Sequence, residues 1–488
     1  MLTVHHGGIV RLSEDPTLPD TALPSFPFRY MFKDLQNNPQ KNLLPELPKT
    51  VSDLQLIGRE AMTDPGDTIK GIPVPAVHTF LAQFIDHDIT LMDDTGAQIS
   101  LTTPTVLSQK QIDKIVNARS PDLDLDNVYG PNIRKELDPP KGDDPRKMKI
   151  EKVEGTEFPK GVNEDGWHDF PRLDDGTPLI GDSRDAENLI LAQLHIAFLR
   201  AHNAIVDERQ CDFKEARKIL TQHYQCIVLN DFLEQICDPC IVKRIIDEGP
   251  KFFPRPNESF YMPLEFSVAA YRFGHSKVRA AYGHFNSLQD NGGLGLLFGF
   301  TDQRLTANWV ISWPSFLDTG NQERLPRRID TTLSDRLLFL DEVLLDGHDI
   351  GVKNLAVRNL LRGYMLRMPT GQAVAEAMGI QPVTREEIKS VAMQIPVPPN
   401  KTQADYLEKT DFLDKTPLWF YILAEAAFGG GVRLGPVGST IVAEVLIGVL
   451  RNSTDSILTD PGWKGPTLKR KTPDKFDIGD LLNFAGVL

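Results

Sequence analysis

A regular stripe of side chains along one stretch of the sequence constrains the fold more than any other feature. Between residues 184 and 209, the side chains on this stripe recur at steps of four, three, four and three residues: Leu191, His195, Phe198, His202 and Ile205. This spacing places all of them on one face of a long helix. Alternating strand patterns are scarce elsewhere in the chain. The sequence therefore predicts a mainly α-helical fold.

Seven further segments carry helical patterns. We predict helices at residues 76–91, 215–234, 264–281, 350–364, 384–393, 416–428 and 439–451. No unit of roughly 20–50 residues repeats, and no polar linker divides the 488 residues. The 36 glycines and 36 prolines indicate long ordered loops. We therefore predict a single large helical domain with long loops and little β structure at residues 71–488. A loop-rich N-terminal arm, residues 1–70, is expected to pack on its core.

The charge and hydropathy of the chain exclude several classes of protein. The formal net charge is −14, from 53 basic and 67 acidic residues; because such a surface repels polyphosphate, we expect no nucleic-acid partner. The longest apolar run, Ile441–Leu450, is interrupted by Glu444 and is shorter than the roughly 20 residues of a membrane span. We therefore expect no transmembrane segment. The first twenty residues lack the pattern of a secretory signal, which predicts a cytoplasmic protein or one exported without a recognisable signal peptide.

The segment at residues 80–90 concentrates polar side chains at the end of a predicted apolar helix. Gln83 and His87 lie four residues apart and share a helix face, and Asp86 and Asp88 flank the histidine. If this group is buried, each polar atom needs a partner, whereas a solvated acidic helix end needs none. Both interpretations are open from this segment alone.

A second segment, residues 120–130, alternates acidic and other residues. Asp122, Asp124 and Asp126 are spaced as oxygen donors are when a loop wraps a calcium ion. An EF-hand needs Gly at the sixth loop position and Glu at the twelfth, where this chain has Asn127 and Ile133. The EF-hand is therefore excluded, and both a calcium loop of another kind and a merely acidic turn remain open.

Three more segments carry isolated polar residues in helical surroundings. In chain order they contain Arg184 with Glu187, then His275, then Asn359 with Arg362. Each has an ordinary structural interpretation: a surface ion pair, a core histidine and the solvated edge of an amphipathic helix. No one of these segments identifies a function by itself.

Taken together and in this order, these segments resemble the animal-type haem peroxidase family, the superfamily of myeloperoxidase and cyclooxygenase. The sequence QFIDHD at residues 83–88 is similar to the distal haem motif of that family. The spacings between the motifs also fit that family: His87, Arg184, His275 and Asn359 follow one another at intervals of 97, 91 and 84 residues. The resemblance covers residues 75–455 and implies the helical fold of the family.

The resemblance implies a haem b cofactor and assigns the residues on both sides of its iron. His87 would be the distal histidine and Arg184 the distal arginine, with Gln83 beside them in the catalytic group. A neutral imidazole can take and return the peroxide proton, and a fixed guanidinium stabilises negative charge on the departing oxygen. His275 would be the proximal iron ligand, and Asn359 would accept a hydrogen bond from its other ring nitrogen.

Other matched positions concern the edges of the haem. Asp86 and Glu187 match the carboxylates that form ester links to haem methyl groups in animal members. Arg272 and Arg362 lie where family members hold the haem propionates. The resemblance therefore implies a haem held by charge and, as a further expectation, by covalent links.

The resemblance also implies a bound Ca²⁺ ion. Its ligands would be the side chains of Asp88, Ser120, Asp124 and Asp126 and the backbone carbonyl of Asp122. The family more often has Thr and Ser where this chain has Ser120 and Asp126. The extra carboxylate should tighten the site.

The implied activity is the reduction of hydrogen peroxide coupled to one-electron oxidation of small organic donors, with halides as a further class of donor. Asn188 stands where myeloperoxidase has a methionine joined to haem through sulfur. We therefore expect this third link to be absent, and halide oxidation of comparable power is not expected.

Two alternatives remain open. In fatty-acid dioxygenases of the cyclooxygenase-like branch, a radical-forming tyrosine lies three residues before the proximal histidine; that position is Arg272 here, and Tyr271 precedes it. That branch also lacks the calcium loop. The other alternative is a non-catalytic, calcium-stabilised binding module on the same scaffold, against which the full set of predicted site residues argues.

Overall fold

The structure is a computed structural model that describes residues 2–3, 11–12, 25–64, 71–94, 96–97, 99–130, 142–254, 260–299, 303–321, 324–338, 352–473 and 475–488. Helices dominate these residues, and none of their strands is longer than four residues. The predicted mainly α fold with long loops and little β structure is confirmed.

The helices fall into three groups. The α-helices of eight or more described residues are Pro48–Leu56, Val77–Ile89, Leu189–Arg209, Phe213–Ile227, Pro239–Glu248, Leu355–Met365, Gly371–Met378, Arg385–Ala392, Leu418–Phe428 and Pro436–Asn452. Shorter α-helices are Pro39–Asn42, Gln109–Ile112, Asp126–Tyr129, Leu233–Ile236, Gly274–Lys277, Leu294–Phe298, Trp313–Leu317, Asp335–Leu338, Gln403–Leu407 and Ile478–Phe484. The 3-10 turns are Lys33–Asn37, Ser183–Ala186, Ala270–Phe273 and Ala307–Trp309, and the π-helical turns are Ile57–Ala61, Val228–Phe232 and Glu265–Ala269.

The strands form small sheets at the edges of this helical body. One sheet has four strands in the order Met92–Asp93, Val116–Asn117, Phe26–Arg29 and Met262–Pro263. The others are pairs: Leu2–Thr3 with Arg11–Leu12, Thr63–Asp64 with Leu333–Ser334, Glu151–Lys152 with Trp167–Asp169, Ala281–Gly283 with Asn291–Gly293, and Pro396–Val397 with Lys401–Thr402.

The four-stranded sheet fixes the end of the Val77–Ile89 helix, hereafter the His87 helix. Phe26 is paired with Asn117 in antiparallel register. The amide of Asn117 also accepts from the backbone N–H of Leu91 at 2.7 Å and donates to the carbonyl of Ile89 at 2.8 Å. Because an amide can donate and accept at once, one side chain satisfies two backbone groups where the helix ends.

The Leu189–Arg209 helix, hereafter the long helix, runs through the core. It is the one helix in the described residues that is long and apolar enough to span a membrane by length and composition. However, 89% of its apolar window is buried inside the protein. Phe198 of the long helix stacks on Phe84 of the His87 helix, with ring centroids 4.4 Å apart. This packing is typical of a core helix.

The long helix begins later than the sequence predicted. The predicted helix started near Arg184, but Ser183–Ala186 is a separate 3-10 turn, hereafter the Arg184 turn. The side chain of Asn188 then accepts from the backbone N–H of Leu191 at 2.9 Å and caps the long helix. An N-cap residue has extended rather than helical backbone geometry, so the chain changes direction between the two elements.

The predicted helix at residues 264–281 is also interrupted. A π-helical turn, Glu265–Ala269, is followed by the 3-10 turn Ala270–Phe273 and by a short α-helix that ends at Lys277. Such changes of helical type occur often at functional sites, because they re-aim side chains without breaking the chain path. Here the change of type lies immediately before His275.

The described part of the N-terminal region packs on the helical body. The buried carboxylate of Glu265 accepts from the backbone N–H groups of Met31 at 2.7 Å and Phe32 at 3.0 Å. This region also contains the Pro48–Leu56 helix, which the sequence did not predict. The division of the chain at residue 70 stays a prediction.

Candidate active site

One cavity gathers the predicted haem-site residues from widely separated parts of the chain. It encloses about 1400 Å³ of empty space, part of which is open to solvent. The predicted site residues that line it are Gln83, Asp86, His87, Arg184, Glu187, Arg272, His275, Asn359 and Arg362. Much of the remaining wall is apolar: Phe28, Phe80, Leu91, Val278, Leu294, Phe298, Leu337 and Leu355. A mainly apolar cavity with a few convergent polar groups is typical of a cofactor or ligand site.

His87 enters this cavity from the last turn of the His87 helix. Its Nδ1 lies 2.8 Å from Oδ1 of Asp185, and both side chains are buried. Burial acts to raise the pKa of Asp185, but hydrogen bonds from His195 and His87 lower it below its usual value. An ionised carboxylate only accepts hydrogen bonds, so Nδ1 of His87 is the donor. The other ring nitrogen, Nε2, is then available as a base.

Arg184 is held rigidly against the His87 helix. Its Nε donates to both carboxylate oxygens of Asp182 at 3.1 Å, and its Nη2 donates to the carbonyls of His87 at 3.1 Å and Thr90 at 2.8 Å. Asp182 is shared with Arg119, and the charges of the two guanidiniums lower the pKa of Asp182 against the effect of burial. Nη1 of Arg184 makes no hydrogen bond to the described residues. The cavity therefore receives an oriented, permanent positive charge.

Gln83, Glu187 and Asn188 form a small network on the same wall. Nε2 of Gln83 donates to Oε2 of Glu187 at 3.1 Å, and Nδ2 of Asn188 donates to Oε1 of Gln83 at 3.2 Å. Asn188 is also the cap of the long helix, so its side chain is fully engaged. Asp86 lies nearby and accepts from Oγ1 of Thr90 at 2.8 Å.

His275 and Asn359 meet across the other part of the cavity. Asn359 belongs to the Leu355–Met365 helix, and its Nδ2 lies 2.9 Å from Nδ1 of His275. The sequence predicted that Asn359 would accept a hydrogen bond from this ring nitrogen, and in the structure it is the amide nitrogen that faces the imidazole. Oδ1 of Asn359 is occupied by Nη1 of Arg272 at 2.8 Å, so the amide presents its donor to the imidazole.

The two arginines predicted to hold propionates carry positive charge into the cavity wall. Burial and the positive charges of Arg362 and Arg358 lower the pKa of Arg272 to about 10. Arg362 donates from Nη1 to Oδ2 of Asp94 at 2.8 Å. A carboxylate ligand beside Arg272 would relieve this electrostatic cost, so the cavity fits a group that carries propionates.

The predicted calcium residues lie outside the cavity, behind His87. The backbone N–H of Asp126 donates to Oδ1 of Asp88 at 2.6 Å, and that of Ser120 donates to Oδ2 of Asp126 at 3.1 Å. Burial and the charge of Asp126 raise the pKa of Asp88 well above its usual value; burial, Asp126 and Asp88 do the same for Asp124. Oδ1 of Asp124 is buried without a hydrogen-bond partner in the described residues. These features fit a cation site.

The same carboxylates are not arranged as a closed chelate. No three carboxylate, imidazole or thiolate side chains in the described part of the chain converge on a metal-sized point. Asp122 accepts from Oγ of Ser120 at 3.1 Å through its side chain, and its carbonyl accepts from the backbone N–H of Asp124 at 2.9 Å. Calcium binding would therefore need small movements of these side chains.

Sequence reasoning missed three residues that position the site. Asp182 holds Arg184, Asp185 holds His87, and His195 lies on the far side of Asp185. The acidic residues on either side of Arg184 were a signal for the first two. His195 carries no signal beyond its place on the stripe of the long helix.

Comparison with known proteins identifies the family to which this chain belongs. The family model described as animal haem peroxidase matches residues 97–447. The chain belongs to the animal haem peroxidase family. The resemblance seen in the sequence is thereby confirmed, and haem is the cofactor that membership of the animal haem peroxidases implies. The match begins beyond His87, so the role of that residue depends on the geometry of the cavity.

Similar sequences are named as peroxidases. Thyroid peroxidase of Rattus norvegicus is 27% identical over 280 residues, which is 54% of this chain and 29% of that protein. A peroxidase-like protein of Margaritifera margaritifera is 39% identical over 116 residues, 20% of this chain and 14% of that protein. The matches therefore span less than a third of either curated relative.

Solved structures share the fold over nearly the whole chain. Peroxidase A from Dictyostelium discoideum has a TM-score of 0.57 at 17% identity, with 96% of this chain and 94% of that chain covered. The fatty acid alpha-dioxygenase of Arabidopsis thaliana has a TM-score of 0.56 at 14% identity, with 96% and 76% covered. The fold is thus common to peroxidases and to fatty acid dioxygenases.

Proposed function

We propose that this chain is a haem peroxidase that reduces hydrogen peroxide and oxidises small organic donors by one-electron steps. The observation that carries the proposal is that His87 and His275, 188 residues apart in the sequence, line one cavity. The Nδ1 atom of each ring lies within hydrogen-bond distance of a neighbouring side chain, that of Asp185 for His87 and that of Asn359 for His275. This arrangement suits one histidine for proton transfer and the other for an iron ligand.

Haem, when bound, would supply the iron that takes the oxidising equivalents of peroxide. His87 would accept the proton of the inner peroxide oxygen at Nε2 and return it to the outer oxygen, which leaves as water. Arg184 would stabilise the negative charge on that departing oxygen through Nη1, the guanidinium atom that makes no hydrogen bond to the described residues. Gln83 would orient peroxide from the same wall of the cavity.

On the other side of the haem, His275 would ligate iron through Nε2. In the structure Asn359 presents Nδ2 to the imidazole, and an amide rotation would present Oδ1 instead. That rotation requires Arg272 to leave Asn359, and a propionate is the partner that would draw it away. Arg272 and Arg362 would then hold the two propionates, and Asn359 would strengthen the electron donation of His275.

Asp86 and Glu187 are the candidates for ester links to haem methyl groups. Both carboxylates line the cavity. Asn188 is engaged with Gln83 and Leu191 and has no sulfur, so we expect no third link and no halide oxidation of the strength that such a link supports. Denaturing extraction followed by mass spectrometry would separate linked from free haem.

A calcium ion would be held by Asp88, Ser120, Asp124 and Asp126, with the carbonyl of Asp122. Asp88 is the direct neighbour of His87. Bound calcium would therefore fix the end of the His87 helix as well as relieve the repulsion among the buried carboxylates.

The test is the absorption spectrum of protein expressed with haem supplied, before and after one equivalent of hydrogen peroxide. We expect a ferric haem band that shifts promptly with peroxide and returns when a phenolic donor is added. A haem band that does not respond to peroxide would favour a dioxygenase or a non-catalytic binding module. Absence of haem from the purified protein would reject the proposal.

A second candidate function, oxygenation of a fatty acid, is favoured by one observation. Tyr271 lines the apolar cavity, is buried, and its hydroxyl makes no hydrogen bond to the described residues. Burial and the charge of Asp86 raise the pKa of Tyr271 well above its usual value, so the phenol stays protonated. Formation of fatty acid hydroperoxides from oxygen without added peroxide, lost in Tyr271→Phe, would support this candidate over the peroxidase.

A further inference from the structure

Asp185 connects two histidines in the interior of the protein. It lies in the Arg184 turn, and its side chain is 0% exposed. Oδ1 of Asp185 accepts from Nδ1 of His87 at 2.8 Å. Oδ2 accepts from Nδ1 of His195 at 2.7 Å and from Nδ2 of Asn127 at 3.0 Å. The His87 helix, the long helix and the short helix Asp126–Tyr129 thus meet at one carboxylate.

These bonds fix the tautomer of both imidazoles. Because the carboxylate can only accept, the neutral form of each imidazole carries its proton on Nδ1 and has its lone pair on Nε2. A histidine without such a partner populates both tautomers, and one of them has no base at Nε2. For His87, the orientation of the ring and the position of the base are therefore set by Asp185.

The two histidines differ in what their Nε2 atoms face. His87 lines the large cavity. Nε2 of His195 is buried without a hydrogen-bond partner in the described residues and borders a separate, smaller cavity that encloses about 190 Å³ of empty space. His195 therefore has no access to a substrate, and we assign it the role of anchoring the carboxylate.

We propose that Asp185 is a positioning residue for His87: anchored by His195 and Asn127, its carboxylate holds the imidazole with the proton on Nδ1 and the base, Nε2, toward the cavity. The inference rests on the proposed peroxidase function, since only a distal base needs this tautomer. A positioned general base typically contributes about 10²- to 10⁴-fold to a rate, so loss of the correct tautomer of His87 should slow proton transfer markedly.

The substitution Asp185→Asn tests this role with almost no change of shape. An asparagine has one amide nitrogen, which cannot accept a hydrogen bond. Placed at Oδ2, the nitrogen would face two donors, those of His195 and Asn127; placed at Oδ1, it would face only His87. The variant should therefore turn its nitrogen to His87 and force that imidazole into the tautomer with its proton on Nε2.

The matched control is Asp231→Asn. Asp231 is a carboxylate with an 11% exposed side chain that pairs with His78 at 2.8 Å and accepts from the backbone N–H of Ile478 at 3.1 Å, and neither Asp231 nor His78 lines the cavity. It undergoes the same chemical change at another aspartate–histidine pair. It therefore controls for the loss of an aspartate–histidine pair away from the cavity, and thermal unfolding of both variants measures any difference in stability.

The first readout is cyanide binding to the ferric haem protein, which needs no turnover. Hydrogen cyanide binds iron as the anion and leaves its proton on a base in the cavity. We expect Asp185→Asn to bind haem as the wild type does and to associate with cyanide at least about tenfold more slowly, while Asp231→Asn is unchanged. Equal rates in Asp185→Asn and the wild type would overturn the inference.

The second readout needs no variant at Asp185. In the diamagnetic ferrous carbonyl form of the wild type, ¹⁵N NMR of the histidine rings identifies the protonated nitrogen, with His87→Gln for assignment. We expect the proton of His87 on Nδ1, and finding it on Nε2 would overturn the inference. A wild type that binds no haem would instead reject the proposed function.

Discussion

Arg272 donates a hydrogen bond from Nη1 to Oδ1 of Asn359 at 2.8 Å, and this bond decides which end of the amide meets His275. A guanidinium has no acceptor, so the amide oxygen must face it. The amide nitrogen is then left 2.9 Å from Nδ1 of His275. The partner of Arg272 thus controls the hydrogen bond available to the proposed iron ligand.

We expect Asn359→Asp to retain haem and to have a more negative ferric/ferrous reduction potential than the wild type. A carboxylate can accept from Arg272 and from Nδ1 of His275 at the same time, which raises the electron donation of the imidazole. Spectroelectrochemical titration measures the potential. Asn354→Asp is the control, because Asn354 caps the same helix through Val357 and does not line the cavity. An unchanged potential in Asn359→Asp would mean that Asn359 does not tune His275.

The two cavity histidines should fail in different ways when replaced. His275→Ala should lose haem or the fifth iron ligand, whereas His87→Ala should keep haem but react with peroxide roughly 10²- to 10⁴-fold more slowly. Haem content and stopped-flow absorption measure the two effects. His284→Ala, at an exposed histidine, is the control for both. A normal peroxide reaction in His87→Ala would remove His87 from the mechanism.

Calcium should stabilise the protein more at pH 8 than at pH 5. Burial and neighbouring carboxylates raise the pKa of Asp88 and of Asp124. Without a cation, the folded protein therefore favours protonated carboxyls and loses stability as the pH rises through these raised pKa values. Calcium at a hundredfold excess over its dissociation constant should restore about 3 kcal/mol.

Thermal unfolding with calcium and with a chelator measures this difference at the two pH values. Asp126→Asn should shrink the calcium effect, because Asp126 is a proposed ligand and the charge that most affects its neighbours. Asp113→Asn, at an exposed aspartate, should leave it intact. Equal unfolding temperatures with calcium and chelator at pH 8 would argue against the site.

Acid should destabilise the fold through two buried histidines: His202 on the long helix and His223 on the Phe213–Ile227 helix that follows it. Burial lowers the pKa of His202 and of His223 to about 4. The unfolded chain binds these protons near pH 6.5, so the stability is complete above pH 6.5 and is lost as the pH falls toward 4. Each histidine should cost about 3 kcal/mol over this window.

Urea unfolding at pH 7.5 and pH 5 tests this expectation. Nε2 of His223 accepts from the backbone N–H groups of Thr467 and Leu468, and a glutamine oxygen can replace it. His223→Gln should therefore lose less stability between the two pH values than the wild type does. Identical losses would show that His223 is not protonated on unfolding in this range.

The sequence predicted those parts of the fold and site that depend on local pattern. The His87 helix follows from apolar spacing within thirteen residues. The long helix was predicted too, but its start at Leu189 was not, because a cap and a 3-10 turn depend on which backbone groups find partners. The interrupted segment before His275 has the composition of a helix, and only packing against the rest of the protein distinguishes it.

The hydrogen-bond partners of the site residues could not be predicted from local sequence patterns. His87 and Asp185 lie 98 residues apart in the sequence, and Asn127 and Asp185 lie 58 apart. The local sequence also gave no indication of why residue 181 is a glycine. A Cβ atom at this position would lie 2.6 Å from the carbonyl oxygen of Asn127, so glycine is what lets the two turns touch. Such contacts are properties of the tertiary fold.

The Arg184 turn has a consequence for how this chain can vary. Asp182 and Asp185 lie three residues apart and bind different partners. Asp182 accepts hydrogen bonds from Arg119 and Arg184, and Asp185 accepts from His87 and His195. In a helix of about three residues per turn, one inserted or deleted residue would swing one carboxylate by about a third of a revolution. The spacing between Asp182 and Asp185 is therefore constrained. We expect related proteins that keep both contacts to vary the two residues between these aspartates but to keep their number.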